Sequence, residues 1–304
     1  MLITKVDMNN KNKSGLYIAI AIASWSTVAS AFKIGLRHYT YFELILVSAI
    51  VAMLVFAVVV TAQRKWTLLK DMSPKRWLGF ALSGFLNPAL YYIVLFRSYY
   101  LLPAQIAQSI NYFWPTLLTI MLAIFMRQSI PKFKYIGMLI SFGGVVLISL
   151  GTGGIAGVSL SSIGIALALL SAFLWAMFWI LNQRNKHTDS ILALFLNFMF
   201  GAAYLLIATI FVPTNLISIN GLLSGLYVGM FEMAIPFIFF GLALKHSKNP
   251  SLINQLCYLS PFMSLFIIHF VVGETIYPTT YIGLGLIVSG IILNEIISKR
   301  RQQL

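Results

Sequence analysis

Acidic residues are scarce in this 304-residue chain. Seven Asp and Glu stand against 21 Lys and Arg, and charged residues of both signs make up only 9% of the sequence. A water-soluble domain carries roughly a quarter charged residues to keep its surface wet, so the shortage excludes an ordinary soluble fold. Cysteine is nearly missing as well: Cys257 is the single one, which rules out an intramolecular disulfide framework. A lone thiol in an apolar run reads as packing. Histidine is sparse and scattered, at His38, His187, His246 and His269. No HExxH or GxSxG run occurs, and no His/Asp/Glu group has ligand spacing. The sequence therefore points to no metal and no cofactor. The rival reading of a membrane-embedded enzyme would need paired acids beside His269.

Apolar residues are abundant: 60% of the chain is hydrophobic and the mean hydropathy is +0.90. They come in blocks of about twenty, the length that crosses a hydrocarbon core roughly 30 Å thick. The blocks predict an all-α integral membrane protein with ten transmembrane helices, near 15–35, 41–62, 77–97, 102–126, 132–150, 160–182, 190–212, 220–244, 250–272 and 279–297.

The basic residues sort by side. The N-terminus, alternate loops and the C-terminus hold 18 of the 21, leaving Lys33, Arg37 and Arg97 for the opposite face. Positive charge collects on the cytoplasmic side, so both termini are expected there, in a bacterial-type plasma membrane. The net charge of +14 thus records topology; nucleic-acid binding would need a clustered patch with exposed aromatics. The expected partners are a small-molecule substrate and the lipid bilayer. The first span, with its lysines and Ala29-Ser30-Ala31, imitates a signal peptide, but the internal repeat needs it as a retained helix.

That repeat appears when Pro115 is laid on Pro261, 146 residues on. Tyr112 then falls on Tyr258, Tyr135-Ile136-Gly137 on Tyr281-Ile282-Gly283, and Gly144 on Gly290. The chain divides into a first five-helix repeat, 15–150, and a second, 160–297. The Gly/Ser-rich stretch GTGGIAGVSLSS, 151–162, reads as a flexible joint. Because five is odd, the second repeat enters the membrane from the other side. This inverted-repeat construction places a site near the midplane in secondary transporters. Gly143, Gly144, Gly285 and Gly290 read as close-contact glycines between helices.

The polar residues inside the spans are the candidate site. Gln105, Gln108, Tyr112, Pro115 and Thr119 recur at three- and four-residue steps on one face of span four, flanked by Asn111 and Trp114. Span nine repeats the device with Asn254, Tyr258 and Pro261. Span three offers Ser83, Asn87 and Tyr91 beside Pro88, span six Ser171, Trp175, Trp179 and Asn182, and span one Trp25, Ser26 and Ser30. Taken singly, each suits helix–helix hydrogen bonding. Taken together, with four prolines that free backbone carbonyls no lipid could satisfy, they outline a polar cavity. The substrate-binding set expected is Trp25, Ser26, Asn87, Tyr91, Gln108, Asn111, Tyr112, Trp114, Trp175, Trp179, Glu232, Asn254 and Tyr258. Rings and neutral amides suit a small molecule with an apolar or aromatic body and a few polar handles. Lys33 and Arg97 read as interfacial groups. Glu232 alone of the acids lies at the centre of a span. It needs a partner such as Asn111 or Tyr258, or a substrate ammonium or proton in the cavity.

In this order and spacing the residues resemble the drug/metabolite transporter superfamily, EamA type. The resemblance rests on Trp25 followed by Lys33, the Trp175 span, GMFEMAIPFIFFGLALKHS at 229–247 and GETIYPTTYIGLGLIVSG at 273–290, with Glu274 after span nine. Trp25-Ser26-Thr27 with NYFWP at 111–115 looks similar to the branch exporting aromatic amino acids. Gln128, where the first repeat would match Glu274, and Ser48, where many relatives carry arginine, depart from the pattern. The resemblance implies a non-enzymatic secondary transporter exporting amino acids or similar small metabolites by alternating access. A non-transporting receptor or scaffold is the remaining alternative.

Overall fold

A chain this apolar must satisfy its backbone internally, and helices do so within one segment. The computed structural model describes residues 2–70, 72–126, 134–155, 160–184, 188–247, 253 and 256–302. Among them every regular element is a helix. In chain order these are α1 (Leu2–Gly35), α2 (Tyr41–Ala62), α3 (Pro74–Gly84), α4 (Tyr91–Leu101), α5 (Ala104–Asn111), α6 (Trp114–Met126) and α7 (Lys134–Ile155). They continue with α8 (Ser162–Arg184), α9 (Ser190–Ala208), α10 (Ile219–Val228), α11 (Ile235–His246), α12 (Leu259–Ile267) and α13 (Pro278–Gln302). Wide π turns, Phe85–Leu90 and Gly229–Ala234, join α3 to α4 and α10 to α11, and a third, Ile268–Val272, extends α12.

Among the described residues six continuous helices are long and apolar enough to cross a membrane: Lys13–Gly35, Tyr41–Ala62, Pro74–Leu101, Ser162–Leu181, Ser190–Ala208 and Ile219–His246. Tyr135–Ile148, Leu259–Val272 and Pro278–Asn294 are shorter apolar helices. The predicted span four differs most. It is two helices, α5 and α6, parted at Tyr112-Phe113. Span seven, predicted to run to 212, ends at Ala208; a turn follows, and Pro213 cannot continue a helix. The expected joint at 151–162 is helical as far as Ile155, and 156–159 lie outside the described residues.

The centre of the bundle is α2 packed on α9, with Phe56 against Phe198 at 5.3 Å. Each of these helices begins with an acid that grips the chain leaving the other. Thr40 caps α2 in a capping box with Glu43, and Glu43 also accepts a hydrogen bond from the Asn215 N–H at 2.5 Å. Asp189 caps α9, accepting from the N–H groups of Ile191 and Leu192, and pairs with Lys65 at 2.6 Å. Burial pushes the Asp189 carboxyl up, but the bonds from Lys65, Leu192 and Ile191 outweigh it and hold it below the ordinary aspartate value. Such a depressed group stabilises the fold at neutral pH and stops doing so as pH falls through its lowered value. A partly exposed pair of this kind is worth about 0–1 kcal/mol.

The π turns lie against these two helices. A Cβ on Gly201 of α9 would strike Pro88, and one on Gly229 would meet the Ser48 carbonyl oxygen of α2 at 2.6 Å. Ser83 donates to the Asn197 amide oxygen at 2.6 Å. At the other side of the molecule α7 and α13 run antiparallel in close contact. Gly137 faces Gly290, Gly144 faces Gly283, and the Ser141 hydroxyl donates to the Ile287 carbonyl.

This seam makes a paired prediction. Gly144→Val would drive a side chain into the Gly283 carbonyl, whereas Gly143→Val would enter open space. Overpacking costs typically about 1–3 kcal/mol. The thermal midpoint of the detergent-solubilised protein should therefore fall by several degrees for Gly144→Val and stay near wild type for Gly143→Val. Equal midpoints would contradict the seam.

Candidate functional site

A cavity of about 620 Å³ lies between α1, α4, α5, α6, α8, α11 and α13. Helical spacing aims its lining residues inward. Trp25, Val28 and Phe32 follow one face of α1; Tyr91, Leu95 and Tyr99 one face of α4; Trp175 and Trp179 one face of α8; Phe237, Phe240 and Leu244 one face of α11. The polar stretch 108–119 supplies Gln108, Asn111, Tyr112, Trp114, Pro115, Thr116 and Thr119. Here the chain is not one helix: α5 stops at Asn111, and α6 restarts with Pro115 in its first turn, where a missing N–H breaks no helical bond. The joint turns both amides and rings toward the hollow.

Three indoles form a box. The Trp114 and Trp179 rings lie nearly parallel, 16° apart with centroids at 6.4 Å. Trp175 stands across both, at 77° and 6.5 Å from Trp114 and 81° and 6.3 Å from Trp179. Tyr91 packs on Trp175 at 4.8 Å, and Phe237 lies between Trp175 and Trp25. All three indoles are half-buried. Among the described residues lining the cavity, Glu232 is the one carboxylate, and none is Lys, Arg or His.

Glu232 sits in the π turn between α10 and α11 and is 9% exposed. Its Oε1 accepts a hydrogen bond from the Tyr92 hydroxyl at 3.0 Å. The partners expected from the sequence were Asn111 or Tyr258; the structure gives Tyr92 instead. The reason is local. A four-residue step from Ser83 through Asn87 selects Tyr91, but the π turn Phe85–Leu90 holds Asn87 at non-helical angles (φ −144°, ψ 118°). The rotation is reset there, and Tyr92, fully buried, faces Glu232.

Asn111 is tied into the wall. Its Nδ2 donates to the Ser171 hydroxyl at 2.8 Å, and its Oδ1 accepts from Tyr91 at 3.4 Å. Other polar atoms on the lining are uncommitted among the described residues: Gln108 Oε1, Thr116 Oγ1 and the Trp179 Nε1–H. These atoms are themselves buried, while their residues line a ring-walled space with a few polar groups, the arrangement of a small-molecule site.

Of the thirteen residues expected from the sequence, ten line this cavity: Trp25, Tyr91, Gln108, Asn111, Tyr112, Trp114, Trp175, Trp179, Glu232 and Tyr258. Ser26 does not; it is fully buried and its hydroxyl donates back to the Ile22 carbonyl at 2.7 Å. Asn87 is 2% exposed and lies behind the wall, in the π turn. Asn254 falls outside the described residues. Reading polar residues alone missed the apolar lining: Phe32, Leu95, Phe237, Phe240 and Ile291. Tyr99 could have been found, because it continues the step from Tyr91 and Leu95. Among the described residues no group of three His, Cys, Asp or Glu could hold a metal, and His269 is an exposed residue bonded to the Glu274 carbonyl.

Comparison with known proteins agrees with this architecture. The uncharacterized transporter YvbV of Bacillus subtilis (strain 168) is 25% identical over 297 residues, covering 96% of this chain and 94% of its own. A solved crystal structure, described only as that of a protein, superposes with a TM-score of 0.67 at 19% identity, over 95% of this chain and 98% of that one, a likeness of fold. The EamA-like transporter family matches residues 12–150 and again 162–295. An all-helical membrane protein with a ring-walled cavity and both of these matches belongs to the EamA-like transporter family.

Proposed function

We propose that this membrane transporter exports amino acids, aromatic ones included, or similar small ammonium-bearing metabolites by alternating access. The observation that carries the reading is the charge of the cavity's described lining: one carboxylate, Glu232, no basic side chain, and walls of indole and phenol. A buried carboxylate is a strong anchor for an ammonium group. Indole faces attract a cation and stack on a planar body. An anion without an ammonium finds no counter-charge among the described lining residues.

We also read the chain as ten membrane-crossing elements in two inverted five-helix repeats, 15–150 and 160–297, with cytoplasmic termini. The family match falls twice, on residues 12–150 and 162–295. The seam contacts support a two-fold relation: Gly137 and Gly144 lie opposite Gly290 and Gly283, which are their own equivalents at the 146-residue offset, exchanged. Glu43 and Asp189 are equivalents at the same offset and open α2 and α9.

Three outcomes test this. Glu232→Gln keeps shape and hydrogen bonding but cannot ionise, so uptake of amino acids into proteoliposomes should fall roughly ten-fold or more while the protein stays folded; wild-type flux at every pH would leave Glu232 a structural residue. Trp179→Ala opens one wall of the box and should weaken substrate affinity about ten-fold, the size of a desolvated cation–π contact, with anionic substrates unaffected. For topology, a cysteine at Asn215 in a Cys257→Ser background should label with an impermeant maleimide from outside intact cells, and one at Lys70 should not. The reverse pattern would invert the model.

A further inference from the structure

Beyond the cavity's Phe32–Tyr99 end lies a cluster the binding site does not use. We propose that Lys33, Leu102, Gln105 and Glu274 form the gate that closes the cavity at its α5 end.

The cluster is polar and crosses the fold. Glu274 lies in the connector between α12 and α13, and its carboxylate accepts from the Ala104 N–H at 2.9 Å and the Gln105 N–H at 3.4 Å. It therefore caps the start of α5, where free N–H groups and the helix dipole favour an anion. The Gln105 side chain makes three further bonds to the same connector and the start of α13. Its Nε2 donates to the Thr275 carbonyl at 2.8 Å, and its Oε1 accepts from the Tyr277 N–H and the Thr280 hydroxyl, both at 3.0 Å. Lys33, in the last turn of α1, donates to the Leu102 carbonyl at 2.5 Å. Gly273 takes a left-handed conformation, φ 79°, at the turn that sends Glu274 back toward α5.

Position puts the cluster at the cavity's α5 end. Lys33 follows Phe32, Leu102 lies three residues past Tyr99, and Gln105 lies one turn before Gln108. Phe32, Tyr99 and Gln108 are cavity lining. The Phe32 and Tyr99 rings meet edge to face at 5.1 Å, each 2% exposed, as the floor. Lys33, Leu102, Gln105 and Glu274 themselves line a second recess of about 450 Å³, with Thr275 and Tyr277. The cluster thus borders this recess while its sequence neighbours Phe32, Tyr99 and Gln108 line the first cavity.

Its chemistry suits opening. Hydrogen bonds between an amide, a carboxylate and backbone groups can be exchanged for bonds to water when the gate opens. The α7–α13 seam is built chiefly on glycine contacts, with the Ser141–Ile287 hydrogen bond between them. The inference rests on the transport reading, since a gate needs a passage to close, but its test does not measure flux alone.

Place Leu95→Cys on the cavity wall in a Cys257→Ser background, and compare impermeant-maleimide labelling in right-side-out and inside-out vesicles. With the cluster intact, labelling from the α5 end should be slow. Gln105→Ala, or Glu274→Gln as the milder variant, should speed it several-fold from that side only. Unchanged rates for folded protein with both variants would overturn the gate. Where both variants misfold, a Gln105→Cys, Thr275→Cys pair bridged by a short bifunctional maleimide holds the cluster shut: flux should stop, and full flux in the bridged protein would overturn the proposal. Faster labelling in a protein that moves no substrate would uphold the closure and overturn the transport reading instead.

Discussion

Inside hydrocarbon a backbone N–H or C=O has no water to bond, so a helix can be interrupted only where protein or a wet hollow surrounds the break. Much of this structure follows from that constraint. The π turns at Phe85–Leu90 and Gly229–Ala234 are pressed against α9 and α2, with Gly201 and Gly229 allowing backbones to approach. The α5–α6 break faces the cavity, and its N–H groups are satisfied within the turn, Tyr112 by the Gln108 carbonyl and Phe113 by the Ile110 carbonyl. Irregularity, cavity and the carboxylate of Glu232 coincide because none of them is tolerable against lipid.

The parts legible in the sequence are those with short-range signals. Apolar blocks of membrane length, the amide-and-ring stripe of 105–119 and the isolated Glu232 all declare themselves within a few turns of chain. The parts that were not legible depend on accumulated rotation or on distance. Tyr92 was hidden by a π turn that resets helical phase, and the same reset carried Asn87 behind the wall. Ser26 looked like a site residue from its neighbours, but its hydroxyl is spent on the preceding turn. Phe32, Phe237 and Phe240 carry no mark that separates a cavity wall from an ordinary core. Glu274 was noted for its place after span nine. Its target, the start of a helix 170 positions earlier, leaves no trace in local spacing.

Two kinds of contact divide the labour. Where helices meet through glycine, as Gly144 meets Gly283, the backbones approach too closely to admit a side chain between them. Where they meet through side-chain amides and carboxylates, contacts can be broken and re-formed. The fold places the first kind on the flank, between α7 and α13, and the second at the end of the ligand cavity.

The reciprocal grips at α2 and α9 also constrain how the protein is made. Asn215 and Lys65 each bond an acid more than a hundred residues away in sequence, and the inner face of α2 is covered by α9. While only the first 150 residues have been made, that face of α2 lacks α9, and Glu43 and Lys65 lack Asn215 and Asp189. The packing of α2 on α4 lies within those residues, whereas its packing on α9 must wait for the second half of the chain.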